Sequence, residues 1–217
     1  MTSLLILGAQ GQIGRAIVAR ARDVGVAHEP LGRAECDIAD PLAVEHAVRR
    51  SSFAVNCAAY TSVDRAETEP AAANRINALG AKTVAAACAA AGVPLVHLST
   101  DYVFDGLSDR PAREDDPARP LNVYGQSKLA GEIAVRELQD RHVILRTSWV
   151  FRRTARTSSR PSCGSHPHTR NCASSTSRSV DRLQRMMSQK RSCGSSTSVR
   201  GLASPIGGPI TSVERRQ

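Results

Sequence analysis

The sequence predicts an α/β fold built on a doubly wound parallel sheet, on three observations. Short apolar runs alternate with stretches of helical period, the first run opens onto a glycine-spaced turn, and capping residues mark where helices begin. SLLIL (3–7) is continuously apolar, as a strand buried on both faces must be, and it stops at GAQGQIG. A helix follows over 12–23, with Ile13, Ile17, Val18 and Ala21 on one face. VAHEPL (26–31) is a weaker strand, because Pro30 has no N–H to give a ladder. Asp40 reads as an N-cap and Pro41 as a first helical residue, opening a helix through LAVEHAVRR. FAVNCAA (53–59) is a third strand, followed by a long Ala-rich helix ending near Gly92. PLVHLST, NVYGQSKLAGEIAVRELQ and HVILRTSWV complete the series as strand, helix and strand. Right-handed crossovers between such strands cover both faces of the sheet, which is the Rossmann-like arrangement.

Composition divides the chain near residue 151. All seven aromatic residues lie at or before Phe151. Residues 1–151 carry 16 Lys and Arg against 18 Asp and Glu, whereas residues 152–217 carry 13 against 2, so the net +9 belongs to the second part. Fifteen of those last 66 residues are Ser, and their apolar residues keep no sustained period. The expected organisation is a dinucleotide-binding domain over 1–151 and a low-complexity Arg/Ser-rich tail over 152–217, irregular or disordered. MTSLLILGAQG has no basic leader and too short an apolar run for a membrane span, so a cytoplasmic location without a membrane partner is expected. Six cysteines without C-x-x-C spacing fit reduced thiols, Cys57 and Cys88 being small core residues.

Gly8, Gly11 and Gly14 are spaced G-x-x-G-x-x-G between the first strand and the first helix. Glycines there allow a tight turn and close approach of the main chain to a pyrophosphate at the helix N-terminus. An ordinary strand-to-helix turn uses the same residues; the position at the first crossover favours a dinucleotide. Arg33, where the second strand should end, would accommodate a 2′-phosphate and points to NADPH, with NADH the alternative. Glu29 lies close enough to compete for a ribose hydroxyl, and a solvated loop charge is the plain alternative for Arg33. Asp37 and Ile38 are placed to flank an adenine. Tyr124 and Lys128 stand four apart on one predicted helical face. A phenol, with a pKa of about 10, needs a neighbouring cation to serve in acid–base chemistry at neutral pH. Y-x-x-x-K is common by chance, but Ser99 and Thr100 end the fourth strand on the edge where such sheets bind ligands, and a hydroxyl there can hold a carbonyl oxygen.

GAQGQIG, VNCAAYTSVDRAE, LSTDYVFDG, NVYGQSKLAGE and ILRTSWVF together resemble the extended short-chain dehydrogenase/reductases, and within them the dTDP-4-dehydrorhamnose reductase family, continuously over residues 3–151. The resemblance implies NADPH-dependent reduction of the C4 ketone of dTDP-4-dehydro-L-rhamnose to dTDP-L-rhamnose. Position by position it implies Tyr124 as proton donor, Lys128 as the residue that lowers its pKa and binds the nicotinamide ribose, and Thr100 as the hydroxyl that orients the ketone. It also implies Tyr102 and Trp149 along the sugar pocket. Gly8, Gln10, Gly11, Gln12 and Ile13 match the pyrophosphate loop, and Ala58, Ala59 and Tyr60 the stretch beside the cofactor riboses. Some family members dimerise through acidic residues that hold a metal; Ala16 stands at the matching position, which puts that mode in doubt and leaves a homodimer as one open alternative, and no metal is expected. Another nucleotide-sugar reductase or epimerase of the same superfamily, or a noncatalytic dinucleotide-binding regulator, are the alternative functions.

After Phe151 the family pattern stops, and an Arg/Ser/Pro/Cys-rich stretch begins inside a motif, as a shifted reading frame in a GC-rich gene would produce. Loss of the substrate-binding half would impair turnover. Within the tail, Cys163, His166, His168 and Cys172 match no common zinc-finger spacing. The Arg/Ser run has no aromatic residue for base stacking, so nucleic acid is not an expected partner.

Overall fold

The computed structural model describes residues 3–108, 110–148, 150 and 210–215. Its sheet and helices belong to one unit, Met1–Ser148 with Ile210–Gln217. Five parallel strands, β1 (Leu4–Leu7), β2 (His28–Leu31), β3 (Phe53–Asn56), β4 (Leu95–Thr100) and β5 (His142–Thr147), lie in the order β2-β1-β3-β4-β5. A sixth, β6 (Ile210–Arg215), pairs antiparallel with β5. This is the doubly wound, Rossmann-like α/β fold. β6 falls in the stretch whose composition predicts irregular structure; the β-branched Ile210, Thr211 and Val213 are too few to stand out from an Arg/Ser background. Cys163, His166, His168 and Cys172 lie outside the described residues.

Helix boundaries follow local chemistry where the sequence supplies it. α1 (Gln12–Asp23) has the predicted extent, burying Gly14, Ile17 and Ala21. Asp40 caps α2 (Pro41–Arg49), accepting from the amides of Leu42 and Ala43. Pro30 is tolerated because β2 is an edge strand, where a missing donor breaks no inner ladder. The single Ala-rich helix expected before Gly92 is instead broken. α3 (Val63–Thr68) ends at Glu69, Pro70 opens α4 (Pro70–Asn74), a π-turn spans Arg75–Gly80, and α5 (Ala81–Ala90) resumes. Pro70 forces the first break, since its ring cannot follow a helical residue without strain.

The chain moves one way across the sheet from β1 to β2 and the opposite way from β2 through β5. Right-handed crossovers therefore put α1 on one face and α2 to α6 (Val123–Leu138) on the other. On that second face Leu5, Leu7, Ala54, Leu95 and Ile144 form one core with Val44, Val48, Val84, Cys88 and Val135. Two glycines let α6 approach its neighbours closely. A Cβ on Gly125 would stand 2.2 Å from Tyr102 O, and one on Gly131 would stand 2.2 Å from Asn77 O.

Gly131→Ala should destabilise the fold by about 1–3 kcal/mol, although alanine is the better helix former, because α6 must move off the π-turn. Urea unfolding measures this; an unchanged or raised midpoint would show that the contact is not tight.

Candidate active site

The order of the sheet reverses between β1 and β3, and their carboxyl ends form the crevice where sheets of this kind bind ligands. The chain leaves β1 at Gly8, in the left-handed region with φ 75°. A Cβ there would lie 2.5 Å from Ala58 N and 2.7 Å from its Cα, so the segments after β1 and β3 meet main chain to main chain. A Cβ on Gly14 would lie 2.3 Å from Gly8 O, which presses the first turn of α1 onto the same loop. Gly11 is the exposed N-cap of α1; no side chain caps it, and no acidic residue stands in the first turn. The positive end of α1 thus faces a backbone cradle that a side chain at Gly8 or Gly14 would fill, which fits a pyrophosphate. Gln10 and Gln12 are exposed on this turn and Ile13 is half-buried. The Gln10 amide leans over Gly32, where a Cβ would come within 2.5 Å of it.

Arg33 is exposed, two residues past the last residue of β2. Glu29, its competitor by sequence, pairs with Arg50 at the C-cap of α2, away from the carboxyl edge. Asp37 accepts from Ala39 N at 3.0 Å and from Arg75 Nη2 at 2.8 Å, and these two bonds, the amide's first, hold its carboxyl below the usual range. Ile38 is 3% exposed and its side chain belongs to the core, so contact with a ligand would fall to its main chain.

The segment after β3 is held by two asparagines. Asn56 Oδ1 accepts from Ala58 N at 3.0 Å. Asn77, buried in the π-turn, accepts from Tyr60 N at 2.8 Å and donates to Tyr60 O at 3.1 Å and to Ser127 Oγ at 2.9 Å. Ser127 donates in turn to Tyr124 O at 2.7 Å, so one chain of bonds runs from Tyr60 to the start of α6. Ala59 is half-buried between them, and the Tyr60 hydroxyl donates to Glu69 at 2.7 Å. Asn77 and Ser127 were missed by sequence reasoning. The available signal was Asn77, at the position of the apolar face in an alanine-rich stretch that also holds Asn74.

Thr100 is the last residue of β4; its hydroxyl donates to Asp101 Oδ1 at 3.1 Å and accepts from Tyr102 N at 3.2 Å. Tyr124, in the first turn of α6, lies beside Thr100 and meets the half-exposed Tyr102 ring edge-on, centroids 5.7 Å apart. Burial raises the Tyr124 phenol above its ordinary pKa; the neighbouring Thr100 hydroxyl opposes this, and Asp101 and Tyr102 reinforce it. One turn along, Lys128 is 2% exposed and its Nζ donates to Leu98 O at 2.6 Å. Burial lowers the ammonium to about 8 against the opposing influence of Glu132 and Cys57. Burial pushes the Cys57 thiol up to about 12, so it is inert as a nucleophile. The fold therefore brings Thr100, Tyr102, Tyr124 and Lys128 to the carboxyl end of β4, while Trp149 lies outside the described residues. A phenol that keeps its proton, beside a hydroxyl and a buried ammonium, is equipped to give that proton to a ligand oxygen. Ala16 is half-buried on α1, and among the described residues no group of three His, Cys, Asp or Glu is gathered for a metal. No helix among them is long and apolar enough to cross a membrane.

Comparison with known proteins gives consistent matches. The dTDP-4-dehydrorhamnose reductase of Streptomyces griseus is 48% identical over 150 residues, 68% of this chain and 49% of that protein. That of Mycolicibacterium smegmatis is 43% identical over 150 residues, 69% of this chain and 46% of the relative. The chain spans about half the length of the curated relatives it matches. Among solved structures, the dTDP-4-dehydrorhamnose reductase of Bacillus anthracis in complex with NADP superposes with a TM-score of 0.67 at 39% identity, over 70% of this chain and 55% of that one. The Clostridium acetobutylicum orthologue gives 0.68 at 38% identity, over 71% and 56%. The family model for the RmlD substrate binding domain matches residues 1–203, running past the residue 151 at which the sequence motifs end. The chain belongs to the RmlD substrate-binding-domain family.

Proposed function

We propose that this chain carries the cofactor and proton-donor half of an NADPH-dependent reductase that converts dTDP-4-dehydro-L-rhamnose to dTDP-L-rhamnose. The observation that carries the reading is the convergence of Thr100, Tyr124 and Lys128 at the end of β4, beside the glycine cradle at the β1/β3 switch point. Its support from relatives is that the matched proteins bear that reductase name and that one was solved with NADP. Gly8, Gln10, Gly11, Gln12, Ile13 and Gly14 would hold the pyrophosphate, and Arg33 the 2′-phosphate. Asp37 and the Ile38 main chain would border the adenine, with Ala58, Ala59 and Tyr60 along the riboses. When bound, the cofactor supplies hydride to the ketone carbon.

The chain's own residues govern the ketone oxygen. Thr100 turns its hydroxyl from Asp101 to that oxygen and orients it. Tyr124 holds its proton against the same oxygen and releases it as negative charge develops there, because burial favours the neutral phenol until a stronger base arrives. Lys128, fixed through one ammonium proton to Leu98 O, keeps two others for a ribose hydroxyl and for the phenolate left behind. Tyr102, edge-on to Tyr124 and half exposed, forms one wall for the sugar, with Trp149 the proposed second.

Holding Lys128 ready carries a stability cost. Its folded value, about 8, lies below the ordinary 10.5, so between these values the unfolded chain binds the proton and the folded one does not. Stability therefore rises with pH across that window, and below about 8 the full penalty of about 3 kcal/mol applies.

Three outcomes test this reading. Tyr124→Phe should lower turnover of dTDP-4-dehydrorhamnose about 100- to 10,000-fold while leaving NADPH affinity unchanged, read by steady-state kinetics beside fluorescence titration. Unaltered turnover would remove Tyr124 from the chemistry. Arg33→Ala should weaken NADPH about 10- to 100-fold and leave NADH untouched; equal loss for both would assign Arg33 to something other than the 2′-phosphate. Lys128→Met should raise the urea midpoint at pH 7 and abolish the gain in stability between pH 8 and 10.5, and a midpoint that falls at every pH would contradict the linkage.

A further inference from the structure

Lys128 and Glu132 stand one turn apart on α6, and both are buried, with 2% and 0% exposure. A cation and a carboxylate at that spacing, shut away from water, would ordinarily pair. Here each is engaged elsewhere. Lys128 Nζ donates to Leu98 O, while Arg146 on β5 reaches Glu132 with both arms of its fork, Nε to Oε1 at 2.9 Å and Nη2 to Oε2 at 2.6 Å. Arg136, on the next turn of α6, adds a bond to Oε2 at 2.9 Å. Arg146 is itself 3% exposed, and its guanidinium lies 4.8 Å above the Phe104 ring, in the loop that continues from Thr100. Bidentate geometry neutralises a buried carboxylate where it sits and fixes its direction.

The groups around the Lys128 ammonium are Glu132 on α6, Cys57 after β3 and His97 on β4, with Arg146 on β5 behind Glu132. Cys57 and His97 are kept neutral by burial, so Glu132 is the nearest full counter-charge. We propose that Arg146 is a positioning residue: by occupying both oxygens of Glu132 it withholds that counter-charge from Lys128 and leaves the ammonium on the Leu98 carbonyl, with protons to spare for a hydroxyl or phenol at the edge of β4. The same arginine, stacked on Phe104, ties the helix bearing Lys128 to the loop bearing Tyr102. What the ammonium does in turnover rests on the reductase reading above; its separation from Glu132 does not.

The chain has three lysines, Lys82, Lys128 and Lys190, so ¹⁵N-labelled lysine gives few side-chain signals, and Lys128→Met assigns the one of interest. In the full chain Lys128 should titrate near 8, with the exposed Lys82 as reference. Arg146→Gln frees Glu132 to pair with Lys128 and should raise its titration by about one to three pH units. Glu132→Gln combined with Arg146→Gln removes the carboxylate and should return it to the original value or below. An Arg146→Gln chain that is folded by circular dichroism and leaves the Lys128 titration unmoved would overturn the proposal. Should that variant not fold, Arg146→Lys, which keeps the charge and loses the fork, should give a smaller rise; no rise there would overturn it equally. Since no turnover enters these measurements, an inactive chain with the expected titrations would defeat the reductase reading alone.

Discussion

The carboxamide of Asn77 is the interaction on which the site's arrangement most depends. It uses both donors and an acceptor on partners from two other segments, the main chain of Tyr60 and the hydroxyl of Ser127, and the backbone carbonyl of Asn77 lies where Gly131 lets α6 come close. Asn77 sits in the π-turn over Arg75–Gly80, four, seven and eleven residues before the buried Ala81, Val84 and Cys88 of α5, a spacing that places it on their face. Without the Asn77 carboxamide, the segment after β3 would lose its anchor to the helix carrying Tyr124 and Lys128. A buried amide with its bonds made is directional in a way that apolar packing is not. This explains how two segments far apart in sequence keep a fixed separation at the sheet's edge.

A second constraint acts where the backbone leaves no room. Gly8 meets Ala58, Gly14 meets Gly8, Gly125 meets Tyr102 and Gly131 meets Asn77, each at a distance that a Cβ could not survive. Three of these contacts join segments distant in sequence, so the glycines set the spacing between the cradle, the segment after β3 and α6. The sequence shows Gly8, Gly11 and Gly14 as a motif because they are close together and opposite a strand end. Gly125 and Gly131 pass unnoticed inside a helix, where their only local signal is a poor propensity.

The contrast explains which features could be read in advance. α1, α2 and α6 were legible because periodicity, Asp40 with Pro41, and Asn122, which accepts from Gly125 N, are local signals that tertiary contacts did not override. The broken helix over 63–90 was not, because alanine favours helix without saying how the turns are phased, and only Pro70 marked a break. Thr100, Tyr124 and Lys128 could be picked out by their spacing and their place at strand and helix ends. Glu132 and Arg146 could not, since a Glu on a helix and an Arg at the end of a strand normally face water, and their burial appears only when α6 is laid on β4 and β5.

The face of the sheet beneath α5 and α6 changes character along its length, and that change links stability to chemistry. Near the amino ends it presents Leu5, Ala54 and Leu95; two to four residues further on it presents Asn56, His97, Ser99 and Arg146. The apolar end holds the helices to the sheet. The polar end is expensive: Lys128 is buried against its preference, His97 is driven neutral by desolvation, and His97 Nε2 and Ser99 Oγ find no protein partner among the described residues. A core selected for stability alone would replace these groups with aliphatic ones, as buried ion pairs often can be without loss. Among the described residues these groups gather toward the carboxyl edge, with Gln139 and His142 the buried polar side chains near the amino end, so the cost falls on the edge where sheets of this kind bind ligands, a pattern expected when stability is given up locally for function.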